Sequence, residues 1–177
     1  MKKVLAFGAS NSKKSINQRL AVWAANQLNE VEVITLDLND FEMPIFSIDK
    51  ELEQGIPKLV HDFKAIIREV DGLVISFAEH NGSFSAAYKN VTDWASRVEK
   101  SMWLDKPVFL MATSPGPRGG MSVLEHAKSI FPFRGATVTS SYSLPSFEKN
   151  FNNEITNPEE KEKFKTAFEN FKKELKN

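Results

Sequence analysis

Short apolar runs alternate with helical stripes along this chain. Val4–Phe7, Leu73–Phe77 and Val108–Ala112 are almost unbroken apolar runs, the pattern of strands covered on both faces. Val31–Leu36 and Thr137–Tyr142 mix in polar residues, as strands at a sheet edge can. Between the runs, apolar residues return every three or four positions. One set is Ile16, Leu20, Trp23, Ala24 and Leu28; the next is Leu59, Phe63, Ile66, Ile67 and Val70. Ala87, Val91, Trp94, Ala95 and Val98 make a third, and Leu124, Ala127 and Phe131 a fourth. Such spacing predicts helices with one buried face. The final helix is the best marked. Asn157 caps it, Pro158 suits its first position, and Glu159 and Glu160 favour its positive end. Phe164, Phe168, Phe171 and Leu175 then line one face, with Lys172, Lys173 and Lys176 near the negative end.

Strands alternating with helices imply an α/β architecture, a parallel sheet with helices on both faces. The apolar strands one, three and four belong at its centre, and the mixed strands two and five at its edges. That arrangement matches the order 2-1-3-4-5 of the flavodoxin-like three-layer α/β/α sandwich. The pattern alone leaves other five-stranded α/β orders open. No internal repeat or low-complexity linker interrupts the 177 residues, so residues 1–177 are read as one domain. The stretch from Asp37 to about Ile56, with Pro44 and Gly55 inside it, reads as irregular. Loops of that length are often functional or touch a partner.

Composition narrows the chemistry. Twenty-three Lys and Arg balance 23 Asp and Glu, which argues against a nucleic-acid partner held by phosphate attraction. It argues equally against a strongly acidic electron carrier that docks on basic proteins. The chain has no cysteine, so thiol nucleophiles, iron–sulfur clusters and cysteine zinc sites are out. His61, His80 and His126 are far apart, and no pair has metal-ligand spacing. Met1-Lys2-Lys3 imitates a signal-peptide start, but the apolar run after it is too short. No stretch approaches the roughly 20 apolar residues that span a bilayer. A soluble cytoplasmic protein with no metal, nucleic acid or membrane partner is expected.

In an open parallel sheet, ligands bind beyond the carboxyl ends of strands, where the strand order reverses. With order 2-1-3-4-5, the loops after strands one, three and four line that place. The first loop, Gly8-Ala9-Ser10-Asn11-Ser12-Lys13-Lys14-Ser15-Ile16-Asn17, runs into a helix. Its hydroxyls, the Asn17 amide and free N–H groups at a helix start suit a phosphate. It is neither a P-loop nor a G-x-G-x-x-G dinucleotide grip. The plainer alternative is that Ser15 only caps the helix and the other hydroxyls are solvated. The second loop, Ala78-Glu79-His80-Asn81-Gly82-Ser83, carries an Asn-Gly turn signal. Its His80 is either an exposed turn residue or a flat surface for a heterocycle, and Glu79 is a weak candidate base. The third loop runs from Thr113 and Ser114 through Gly116 to Gly119 and Gly120. Its glycines are expected to let a ligand ring lie against main chain, or else simply to make a tight loop.

Taken together, these segments resemble the NADPH-dependent FMN reductase family, which includes quinone, chromate and azo-dye reductases. The first loop of that family reads roughly G-S-x-R-x-x-S-x-N, and Ala9 to Asn17 stands in its place. The second reads roughly P-E-Y-N-G-S, followed by K-N-x-x-D-W. Ala78 to Ser83 and Lys89-Asn90-Val91-Thr92-Asp93-Trp94 match it. Ser114 to Gly120 matches the third, a serine followed by a glycine pair. Ser12 stands in place of an arginine, Ala78 of a proline and His80 of a tyrosine.

The resemblance implies bound FMN. Its phosphate would rest on Ser10, Ser12, Ser15, Ile16 and Asn17. Its ring would lie between Ala78, Glu79, His80, Asn81 and Gly82 on one side and Ser114, Gly116, Gly119 and Gly120 on the other. NAD(P)H would be the co-substrate, and a small molecule such as a quinone, an azo dye or free flavin the acceptor. Since the flavin performs hydride transfer, no catalytic side chain is assigned. A homodimer or homotetramer is implied as well. Met43, Ile45 and Phe46 in the Asp37–Ile56 stretch are apolar surface for a partner or the flavin, or else pack on their own domain. The competing reading is a flavodoxin-type electron-transfer protein without NAD(P)H chemistry of its own.

Overall fold

The apolar runs form the middle of a parallel sheet. In the computed structural model, which describes residues 1–176, the strands are β1 (Lys2–Ala9), β2 (Val31–Thr35), β3 (Gly72–Phe77), β4 (Lys106–Thr113) and β5 (Ala136–Leu144). Their order is β2-β1-β3-β4-β5 and every pairing is parallel. Phe7 lies beside Ile75, and Ile75 beside Leu110.

Side chains alternate across the pleat, so each central strand feeds two cores. Leu5, Phe7, Leu73, Ile75, Phe77 and Leu110 face one side. There they meet α3 (Lys58–Glu69), α4 (Ala86–Val98) and α5 (Met121–Ile130). Val4, Ala6, Val74, Phe109 and Met111 face the other side. They meet α1 (Ile16–Ala25), the short α6 (Phe147–Asn150) and α7 (Pro158–Lys176). The α7 stripe is buried as its spacing predicts, and Asn157 Oδ1 accepts the Glu159 and Glu160 N–H groups.

Two expectations need correcting. The segment from Asp37 to Ile56 is not irregular throughout. It holds a 3-10 turn at Leu38–Phe41 and a helix, α2 (Ile48–Gln54). No residue of α2 is buried, and its one apolar pair, Ile48 and Leu52, is too short a pattern to mark a helix. Its start is set locally by Ser47, whose hydroxyl accepts the Lys50 N–H. The first helix also stops earlier than its stripe, at Asn26, leaving Leu28 beyond its end. Among the described residues, no helix is long and apolar enough to cross a membrane.

Candidate functional site

The carboxyl ends of β1, β3 and β4 reach the same sheet edge, and specific hydrogen bonds hold the following segments together. Asn17 Oδ1 accepts the Ser76 hydroxyl at 2.7 Å and the Thr113 N–H at 3.1 Å. Its amide group donates to the Thr113 carbonyl at 3.2 Å. Ser85, which caps α4, donates to the Ala9 carbonyl at 2.9 Å. Gln18 bridges outward, accepting the Gly8 N–H and donating to the Leu36 carbonyl. The three loops predicted from sequence are thus brought to one rim.

The first loop encloses a cleft of about 330 Å³, lined by Ser10, Ser12, Lys13, Lys14, Ser15, Gln18, Arg19 and Asp37. Ser10 and Ser15 are each only 8% exposed. Ser10 Oγ accepts the Ser12 N–H and Ser15 Oγ accepts the Gln18 N–H, both at 3.1 Å. Neither hydroxyl hydrogen has an acceptor among the described residues. The N–H groups of Ile16 and Asn17, at the start of α1, have no intrahelical partner. The positive end of the helix dipole adds to these donors. A polyanion with several acceptor oxygens fits this set, and a neutral apolar group does not.

One expectation about this loop changes. The Asn17 carboxamide is turned inward onto Ser76 and Thr113 and is not offered to a ligand. Only the main-chain N–H of Asn17 faces outward from the helix start. Gln18 and Arg19 join the cleft without having been singled out from sequence. Their positions three and four residues after Ser15 place them on the capped face of α1, and that spacing was the available signal.

At the second loop, Asn81 and Gly82 both have positive φ, 52° and 78°. His80 and Ser83 exchange main-chain hydrogen bonds of 2.9 and 3.1 Å. This is a type I′ hairpin turn, the geometry that Asn-Gly favours. Ala78 is half-buried at its base, while His80, Asn81 and Gly82 are exposed. Glu79 is placed as a helix cap: its carboxylate accepts the Val123 N–H at 2.9 Å in the first turn of α5. Behind the turn, Phe77, Phe84 and Tyr88 pack ring against ring. Burial there pushes the Tyr88 phenol well above its ordinary pKa.

The third loop also departs from expectation. Gly119 and Gly120 are buried rather than open to a ring. A Cβ on Gly119 would meet Ser143 Oγ at 2.4 Å, and one on Gly120 would meet Ala112 Cβ at 3.1 Å. The pair lets the loop close against β4 and β5. Gly116 has more room, with only Ser114 Oγ near, at 3.9 Å. Ser146 and Phe147 tie Gly116 and Ser114 down through their N–H groups.

The Lys89–Trp94 motif serves the fold. Asn90 accepts the Phe46 N–H and donates to the Met43 and Pro44 carbonyls. Trp94 Nε1 also donates to the Pro44 carbonyl, and Lys89 pairs with Asp93. These bonds fasten the Met43–Phe46 stretch beside the rim. Among the described residues, no cluster of three His, Cys, Asp or Glu side chains is placed to hold a metal.

Comparison with known proteins agrees with this architecture. The model of the family described as NADPH-dependent FMN reductase matches residues 2–149. A quinone reductase of Escherichia coli (strain K12) is 34% identical over 97 residues, which cover 55% of this chain and 52% of that protein. An NADPH:quinone oxidoreductase of Arabidopsis thaliana is 33% identical over 123 residues, covering 68% of this chain and 62% of that protein. The matched part of the chain thus spans only about half to three fifths of these relatives' length. Among solved structures, the flavoenzyme NAD(P)H:(acceptor) oxidoreductase FerB from Paracoccus denitrificans superposes with a TM-score of 0.76. It is 22% identical and covers 99% of this chain and 98% of that one, a likeness of fold.

Proposed function

Because the chain belongs to the NADPH-dependent FMN reductase family, we propose that it is an FMN-dependent NAD(P)H oxidoreductase acting on a small acceptor. The observation that carries this reading is the cleft after β1. Two buried serine hydroxyls with unspent hydrogens stand there beside the free Ile16 and Asn17 N–H groups. A phosphate monoester supplies acceptors for all of these donors and a charge suited to the α1 dipole.

FMN, when bound, supplies the hydride chemistry. The chain's own part is to bind and orient. Ser10, Ser12 and Ser15, with the Ile16 and Asn17 N–H groups, hold the phosphate. The turn from Ala78 to Gly82 and the main chain at Ser114 and Gly116 flank the ring. Gly119 and Gly120 contribute by shaping that loop against β5. Glu79, committed to the α5 N-terminus, positions the loop and is assigned no proton transfer. No side chain is named as catalytic.

The relatives' names, quinone reductase and NADPH:quinone oxidoreductase, support a quinone as acceptor. Azo dyes and free flavin remain within the same class of small oxidant. The soluble dinucleotide donor supports a cytoplasmic setting. An assembly of two or four copies is part of the reading. Its support is the exposed apolar side chains Ile45, Ile48 and Leu52 on and before α2, and light scattering at micromolar concentration tests it.

The decisive experiment is the visible spectrum of the purified protein before and after anaerobic NADPH. A flavin spectrum that bleaches on addition is expected. A colourless protein that ignores added FMN overturns the reading. A fully loaded protein that neither NADH nor NADPH reduces is an electron carrier of the flavodoxin type instead.

A further inference from the structure

Arg19 lies one helical turn after Ser15. Residues i and i+4 share a helix face, and helical side chains lean toward the N-terminus, so Arg19 rises beside the cleft and lines it. Its guanidinium lies over two aromatic rings, 5.0 Å from the Phe147 centroid and 5.5 Å from that of Phe151. A cation–π contact of this kind spends no hydrogen-bond donor, so the guanidinium keeps its N–H groups for another partner. Arg68, Arg97 and Arg118 spend donors on Glu99, Glu51 and Ser122. The Arg19 side chain has no protein acceptor among the described residues. Asp37, the carboxylate on the same cleft, instead accepts the N–H and side-chain amide of Asn39. Lys13 and Lys14 also carry charge here, but they stand on an exposed turn, where binding must first order a long side chain. Arg19 is exposed too, but its guanidinium rests against two rings, so less side-chain freedom is left to lose on binding.

We propose that Arg19 is the specificity-determining cation of this cleft. With Phe147 and Phe151 as its shelf, it makes the site select a phosphate monoester over the same molecule lacking the phosphate. The buried, unspent hydroxyls of Ser10 and Ser15 supply the independent sign that an anion belongs there. The inference rests on reading this cleft as the FMN phosphate site.

The test is to titrate FMN and riboflavin separately into the whole chain freed of flavin, following fluorescence quenching. Wild type is expected to prefer FMN. Arg19→Gln should shrink the FMN-over-riboflavin preference by about tenfold or more, leave riboflavin affinity unchanged, and flatten the salt dependence of FMN binding. Arg19→Met keeps an apolar stem on the rings without the charge, so it carries the same comparison if the glutamine variant is poorly folded. Arg19→Lys should recover part of the preference. An unchanged preference in both neutral variants overturns the proposal, as does an equal loss of both affinities, which would make Arg19 only a cover for the rings. Wild type binding riboflavin as tightly as FMN, or neither, defeats the phosphate reading itself.

Discussion

The Ser76 hydroxyl donates to the Asn17 carboxamide oxygen over 2.7 Å. Ser76 is fully buried in β3, and Asn17 is 3% exposed on α1. The same oxygen accepts the Thr113 N–H from β4, so one side chain satisfies polar groups at the ends of two central strands. The loops that frame the cleft are anchored through this junction.

Asn17→Ala would leave the Ser76 and Thr113 donors buried without an acceptor. Each such group costs about 1–3 kcal/mol, so for the two a loss of about 2–6 kcal/mol is expected. In urea, the midpoint should fall while the slope stays constant. A midpoint equal to wild type would show that the junction is dispensable.

Gly119 and Gly82 both have positive φ, 58° and 78°, yet their surroundings differ. An alanine Cβ at 119 would sit 2.4 Å from Ser143 Oγ and 2.9 Å from the Leu144 carbonyl oxygen, while nothing lies within 4 Å at 82. Gly82→Ala should therefore cost only the left-handed backbone penalty of about 1–2 kcal/mol. Gly119→Ala adds a clash with β5 and should cost about 3 kcal/mol or more. Equal shifts in thermal midpoint for the two variants would contradict this contrast.

The fully buried Lys64 on α3 pairs with Glu99 at 3.0 Å and donates to the Ser101 and Met102 carbonyls. The hydrogen bond from Lys64, helped by the charges of Lys64 and Arg68, holds the Glu99 carboxyl below its ordinary pKa. The unfolded chain therefore binds a proton first as pH falls. This stabilisation is complete above the ordinary glutamate range and disappears as pH drops through the depressed value. Burial pushes the Lys64 ammonium below its own ordinary value. Between that lowered value and the ordinary lysine range, the unfolded chain again binds more protons, so this group makes stability rise with pH there. Glu99→Gln should flatten the acid limb and, by removing one partner of a buried cation, lower stability at neutral pH by about 1–3 kcal/mol. Urea midpoints across an acid pH series check both, and an unaltered acid slope would count against the pairing.

His80 stands exposed at a turn held by main-chain bonds alone. His80→Tyr is expected to change stability by no more than about 0.5 kcal/mol and to retain FMN. It should shift the ratio of quinone to azo-dye reduction rates by up to about tenfold, through a larger and less polar surface. Identical ratios would remove His80 from any role in acceptor choice.

The strands were legible because β1, β3 and β4 are covered on both faces and must be apolar throughout. The helices packed on them show the complementary stripe. The helix α2 did not show itself, since its seven residues hold only one apolar pair, Ile48 and Leu52, too few to set a period. The caps at Asn157 and Ser15 were readable because their partners lie within three residues. At Gly119 and Gly120, the sequence signals a close approach without naming what approaches, and the neighbours proved to be β4 and β5.

By itself, the sequence determined the alternation of elements and the central and edge character of the strands, and pointed to the loops after strands one, three and four. Periodicity and capping are short-range properties, carried by residues a few positions apart. Only the tertiary structure decided that Asn17 turns inward, that Glu79 caps α5 and that Arg19 rests on Phe147 and Phe151 beside the cleft. Their partners lie far along the chain: Ser76 is 59 and Thr113 is 96 positions from Asn17. Which donor meets which acceptor across such distances depends on strand register and helix placement. Those are set by packing of the whole core rather than by any local run of residues.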